Sequence, residues 1–133
     1  MNVKHSQRGA VALEFGLGFL IFFSVVYGVM EFGRLVACYN ILSGAAREGV
    51  RYASVHGSAS GSAATAADIQ DVVRHWALGM ETSSVAVTTT WTPGNAPGST
   101  VKVTANYSVT PFTQLILKNG INVQSSAQMA ISQ

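Results

Sequence analysis

Between Ala10 and Met30 the chain reads AVALEFGLGFLIFFSVVYGVM, 21 residues with a single charge, Glu14. In a helix rising about 1.5 Å per residue, some 20 apolar residues match the ~30 Å hydrocarbon core of a bilayer. Ahead of the run lie Lys4 and Arg8 with no acid, so the excess of positive charge predicts a cytoplasmic N-terminus, one span and a translocated remainder. Only 11% of the residues are charged against 48% hydrophobic, where an ordinary globular domain carries about 25% charged. That imbalance excludes reading the whole chain as an ordinary soluble globule, and the wealth of Val, Ile, Leu and aromatics excludes disorder.

Four fates compete for the run. A cleaved secretory signal has an apolar core of roughly 7–15 residues ending in a small-x-small site, and both the length and Glu14 argue against it. Leu35-Val36-Ala37-Cys38 has the look of a lipidation box, but Glu31 and Arg34 separate it from the apolar run. A plain single-pass anchor must carry Glu14 one turn inside its start, and an ionised acid in a span costs several kcal/mol unless it is paired or close to the interface. The fourth reading begins at Arg8-Gly9 followed by Ala10-Val11-Ala12-Leu13-Glu14-Phe15. This arrangement resembles the processing site of type IV prepilins, whose short basic leader ending in glycine is removed by a membrane-embedded prepilin peptidase. The resemblance implies cleavage after Gly9, with Glu14 becoming the fifth residue of the mature chain.

The spacing has its own chemistry. A cut after Gly9 frees the amine of Ala10, and the carboxylate of Glu14 lies one helical turn away on the same face. In low dielectric an unpaired ammonium and an unpaired carboxylate are both expensive, so each has reason to find the other. In a staggered stack, Glu14 of one subunit neutralises the Ala10 amine of its neighbour and sets the register; the alternative is a tolerated interfacial acid. Loss of Lys4 and Arg8 with the leader brings the balance from 8 Lys+Arg against 6 Asp+Glu to 6 against 6, which suits helix-mediated assembly better than electrostatic steering.

Beyond the span come Glu31-Phe32-Gly33-Arg34, Asn40-Ile41-Leu42 and the stretch AAREGVRYA from Ala45 to Ala53, with Arg47, Glu48, Arg51 and Tyr52. These segments resemble the TadE-like family, minor pilins of the tight-adherence (Tad) pilus system; the resemblance is dense from Arg8 to Ala53 and only patterned afterwards. It implies a minor pilin or pseudopilin working in pilus biogenesis, adhesion or secretion from the bacterial inner membrane. Its partners are then the prepilin peptidase, other pilins and minor pilins, the inner-membrane assembly platform and the lipid bilayer. Many relatives carry a proline about six residues after the first glutamate; Leu20 stands there instead, so no kink is expected.

No proline interrupts Ala10 to Val55, and Val36, Ile41, Leu42, Ala45, Ala46, Gly49 and Ala53 recur at helical spacing, one face of an amphipathic continuation over 31–55. Glu31 with Arg34 and Glu48 with Arg51 stand i,i+3 on the other side, where a solvated face competes with a contact to partner subunits. Gly33, Gly44 and Gly49 each weaken a helix by roughly 1 kcal/mol relative to Ala; close helix packing is one reason to keep them and local melting on assembly is another. Ala12 and Gly16 form a small-xxx-small pair.

Residues 56–64, HGSASGSAA, form a Gly/Ser/Ala linker that is expected to be mobile. In the outer domain, 65–133, Thr65 with Asp68 signals a helix start, and Ile69, Val72, Val73, Trp76 and Ala77 share one side. Three alternating stretches follow: Val85, Val87, Thr89 and Trp91; Val101, Val103, Ala105, Tyr107 and Val109; Val123, Ser125, Ala127, Met129 and Ile131. Pro93 to Gly98 is turn chemistry joining the first two. Phe112, Leu115, Ile116 and Leu117 are expected to form a helical turn or a lip over the core. The fold class is α+β: a long N-terminal transmembrane and amphipathic helix, a short helix and a small antiparallel sheet with free edges, pilin-like.

Catalysis is not expected. After Val55 the ionisable candidates are Asp68, Asp71, Glu81, His56 and His75, with Asp71 and His75 i,i+4 on one helix and no third convergent metal ligand. No Lys/Arg run follows residue 10, which argues against nucleic acid, and no cofactor is expected. Cys38, the only cysteine, is either a small buried hydrophobe or one half of an intermolecular disulfide. The competing function is an uncleaved single-pass anchored module whose sheet binds a periplasmic partner or cell-wall ligand.

Overall fold

The structure is a computed structural model that describes residues 4–112 and 120–132, with side chains from residue 9 onward. In chain order it comprises helix α1 (Lys4–Val55), helix α2 (Ala66–Trp76), a 3-10 turn (Thr82–Ser84) and strands β1 (Ala86–Thr92), β2 (Thr100–Val109) and β3 (Ile121–Ala130). This is the α+β architecture expected. The α-helix of α1 runs through Leu20 without a break. Two compact units divide the chain, Met1–Arg34 and Leu35–Gln133.

In the second unit the strands form one antiparallel sheet in the order β1-β2-β3. Val103 pairs with Thr89 on one side and Ala127 on the other, so the odd-numbered residues of all three strands share a face. Val101, Val103 and Ala105 on that face are fully buried. They meet Leu42, Ala45, Ala46, Val50 and Ala53 of α1 and Ile69, Val73 and Ala77 of α2 in one core. Burying side chains of this kind stabilises by about 25 cal/mol per Å² of apolar surface removed from water.

Helix α2 starts where the sequence signals it. Thr65 and Asp68 form a reciprocal capping box: the Asp68 N–H donates to Thr65 Oγ1 at 3.2 Å, and the Thr65 N–H and hydroxyl donate to Asp68 Oδ2 at 2.9 and 2.7 Å. The Thr65 hydroxyl first, and its backbone N–H second, hold the Asp68 carboxyl below its ordinary value. Gly98, at φ +84°, closes the β1–β2 hairpin in the left-handed region.

Several expectations need correcting. Trp76 is 50% exposed rather than packed on the sheet, because Ile69, Val73 and Ala77, at i, i+4 and i+8, already fill the buried stripe. Val36 and Met129 are exposed as well, and Val50 takes the core position that the spacing argument passed over. The 56–64 segment is tied down: the Ser58 N–H donates to Asn95 O, the Ala64 N–H to His56 O, and Gly57 and Ala64 are buried. The expected turn at Leu115, Ile116 and Leu117 lies outside the described residues, while Phe112 beside it is exposed.

Candidate assembly helix

Glycine-rich but proline-free, the N-terminal part of α1 keeps its helical hydrogen bonding from Lys4 onward, so the Gly9–Ala10 bond lies within a helix. Ala10 and Glu14 are one turn apart, about 6 Å along the axis. Every residue from Gly9 to Val26 is exposed, with Leu13 and Phe15 each at 73%. Among the described residues, one helix, Gly9–Val55, is long and apolar enough to cross a membrane, and none of its apolar window is buried. An apolar surface of this extent left uncovered marks a membrane or subunit contact. Among the described residues no cation lies within ion-pair distance of Glu14.

The aromatic side chains stack along this surface. Phe15 and Phe19 have centroids 6.2 Å apart, Phe19 and Phe23 4.3 Å, and Phe22 meets Phe23 edge-on at 5.6 Å. Phe15, Phe19 and Phe22 surround Gly18 in an open hollow of about 270 Å³, and a Cβ on Gly18 would meet nothing within 4 Å. Such a notch admits a side chain from a neighbouring helix. The Ser24 hydroxyl donates to Leu20 O at 2.7 Å, which satisfies its polarity within the apolar run.

The motif residues further along separate into different roles. Arg34 and Glu31 form an ion pair at 3.3 Å; among the described residues Glu48 and Arg51 form none. Gly33 is open, whereas a Cβ on Gly49 would sit 2.5 Å from Val73 Cγ2 and 3.5 Å from both Ile69 Cγ2 and Val103 Cγ1. Gly49 is therefore a point of close approach of α1 to α2 and the sheet, a packing role rather than a binding one. Tyr52 stacks on His56 at 4.1 Å, and His56 Nδ1 lies 2.9 Å from Tyr52 O. Arg47 and Arg51 are exposed and Glu48 half-buried. Cys38 is a free thiol, half-buried against the core. Gly9 and Ala10 are exposed; the Arg8 side chain lies outside the described residues.

Asp71 and His75 are both exposed on α2 and form no ion pair among the described residues. Among the described residues no cluster of three or more His, Cys, Asp or Glu side chains is placed to hold a metal. The groove beside β3 is not legible in residue spacing; its one trace in the sequence is that no charged residue follows Lys118.

An exposed apolar helix leading into a small α+β unit defines the class: the helix is consistent with a single-pass membrane anchor. Comparison with protein families narrows this, for residues 9–51 match the TadE family, described as TadE-like protein. The similarity lies within α1. No curated protein and no solved structure matches the chain.

Proposed function

We propose that the protein is a minor pilin or pseudopilin of a tight-adherence type IV pilus, cut after Gly9 by a prepilin peptidase and assembled through its N-terminal helix. The observation that carries this reading is the exposed apolar helix with Glu14 one turn after Ala10, behind the basic, glycine-ended leader containing Arg8. Before cleavage the chain sits in the bacterial inner membrane with its N-terminus cytoplasmic and its α+β unit periplasmic. After cleavage, Glu14 of one subunit neutralises the new Ala10 amine of the next, and the Phe15-to-Phe23 surface packs against neighbouring pilins and the assembly platform. The protein works by assembly rather than by catalysis.

The test is the N-terminal sequence and intact mass of the protein taken from membranes of a host with and without its prepilin peptidase. A chain beginning at Ala10 only when the peptidase is present is expected. An intact leader under both conditions refutes processing and leaves an uncleaved anchored module.

A further inference from the structure

The sheet of the outer unit ends on one side at β3, and that edge is open. Edge strands in stable proteins are guarded by charge, proline, bulges or shortness, because their unpaired N–H and C=O groups template the addition of another strand. Strand β1, at the opposite edge, is seven residues long, packs against α2 and is followed directly by Pro93. Strand β3 is ten residues long, pairs with β2 over its whole length without a bulge, and contains no charge and no proline. The outer backbone groups of β3 have no partner among the described residues.

The stretch of α1 from Leu35 to Arg47 lies beside this edge. Tyr39, Ser43 and Arg47, at i, i+4 and i+8, line a hollow of about 700 Å³ whose other wall is the run Gln124 to Gln128. Consecutive residues of a strand line a groove together only where its backbone edge faces that groove. A second hollow of about 380 Å³ shares Tyr39 and Gln124 and is walled by Leu35, Val36, Ile121 and Val123. The two form one channel along β3, apolar at the Ile121 end and polar at the Gln128 end. Arg47 is the one charged residue lining it, no acid accompanies it, and among the described residues it makes no ion pair.

We infer that this channel binds an extended segment of a partner subunit, which adds to the sheet as a fourth strand beside β3 and places a carboxylate on Arg47. Main-chain hydrogen bonds to the β3 edge supply affinity, and the two ends of the channel select side chains. The Arg47 guanidinium forks onto a carboxylate, the strongest geometry available to it. Tyr39 and Arg47 are eight residues apart, about 12 Å along the helix, a distance that a strand covers in about four residues. Residues i and i+4 of a strand lie on one face, so the ligand carries an apolar side chain and, four positions away, an Asp or Glu. The inference does not depend on removal of the leader.

The test uses the full chain in detergent micelles and blocked octapeptides of alternating Val and Thr, with Val at the first position and either Glu or Gln at the fifth. Binding is read by isothermal titration. The Glu peptide is expected to bind at least about tenfold more tightly than the Gln peptide. Arg47→Gln, at an exposed position, is expected to erase that preference while leaving the circular dichroism spectrum unchanged, and N-methylation of alternate peptide amides is expected to abolish binding to the unaltered protein. Equal affinity for the two peptides, a preference that survives Arg47→Gln, undiminished binding of the N-methylated peptide, or no binding at all overturns the inference. Self-association that the Glu peptide does not displace also overturns it, since a second copy would then occupy the edge.

Discussion

Gly49→Ala isolates what the packing of the α+β unit demands of one backbone position. The added Cβ would lie 2.5 Å from Val73 Cγ2, where carbon atoms in ordinary contact lie about 3.5–4.0 Å apart, so about 1 Å or more must be opened. Val73 yields poorly, because a β-branched side chain in a helix has one strongly preferred rotamer and α2 is fixed by its cap and by the burial of Ile69 and Ala77. Overpacking of this kind costs about 1–3 kcal/mol, offset by ~1 kcal/mol from the better helix propensity of Ala. The net expectation is a loss of up to about 2 kcal/mol, with the melting midpoint falling by about 4–8 °C per kcal/mol for a unit of this size. Gly44→Ala is the control on the same helix. Its Cβ would meet nothing within 4 Å, so only propensity acts and stability rises by up to about 1 kcal/mol. Both are read by thermal unfolding of the intact protein in micelles, followed by Trp76 and Trp91 fluorescence. Val73→Ala combined with Gly49→Ala should recover at least about 1 kcal/mol relative to the sum of the single changes, since the clashing methyl is gone. A Gly49→Ala protein as stable as Gly44→Ala refutes the close-approach argument.

Other outcomes follow from the cap and from the function proposed for the N-terminal helix. Thr65→Ala removes the side-chain cap of α2 and should cost about 1 kcal/mol in denaturant titration, while Thr65→Ser should cost much less. The folded-state pKa of Asp68 is depressed below its ordinary 3.8, so its contribution is present above that value and is lost as pH falls through the lower folded one. The stability difference between the unaltered chain and Asp68→Asn should accordingly be constant near neutral pH and vanish in strong acid, as acid-unfolding curves will show. Glu14→Ala should leave the protein in the membrane but deplete it from sheared pili, and Glu14→Gln should not restore it, because a neutral amide cannot balance the Ala10 amine; normal incorporation of either refutes the pairing. Asp71→Ala and His75→Ala should leave pilus assembly unchanged by immunoblot of sheared fractions.

The apolar run, the acid at Glu14 and the capping box at Thr65 and Asp68 are legible in the sequence because each is a local matter. Hydropathy over 21 residues, a four-residue helical spacing and a side chain reaching three residues back need nothing beyond neighbouring chain. Strand alternation was legible for the same reason: a period of two assigns Val101, Val103 and Ala105 to one face before any partner is known. The tertiary structure decided what local pattern leaves degenerate. Gly33, Gly44 and Gly49 look alike along the helix, yet only Gly49 faces Val73, Ile69 and Val103 from other elements. Trp76 satisfies the helical period but lies outside the stripe that α2 buries, because the width of that stripe is set by what packs on it. Arg47 lies within a familiar-looking motif, but its place beside the open edge of β3, nearly eighty residues further on, comes from strand order and from which stretch of α1 runs along that edge. Those are properties of elements meeting in space, and the spacing of residues along a chain does not carry them.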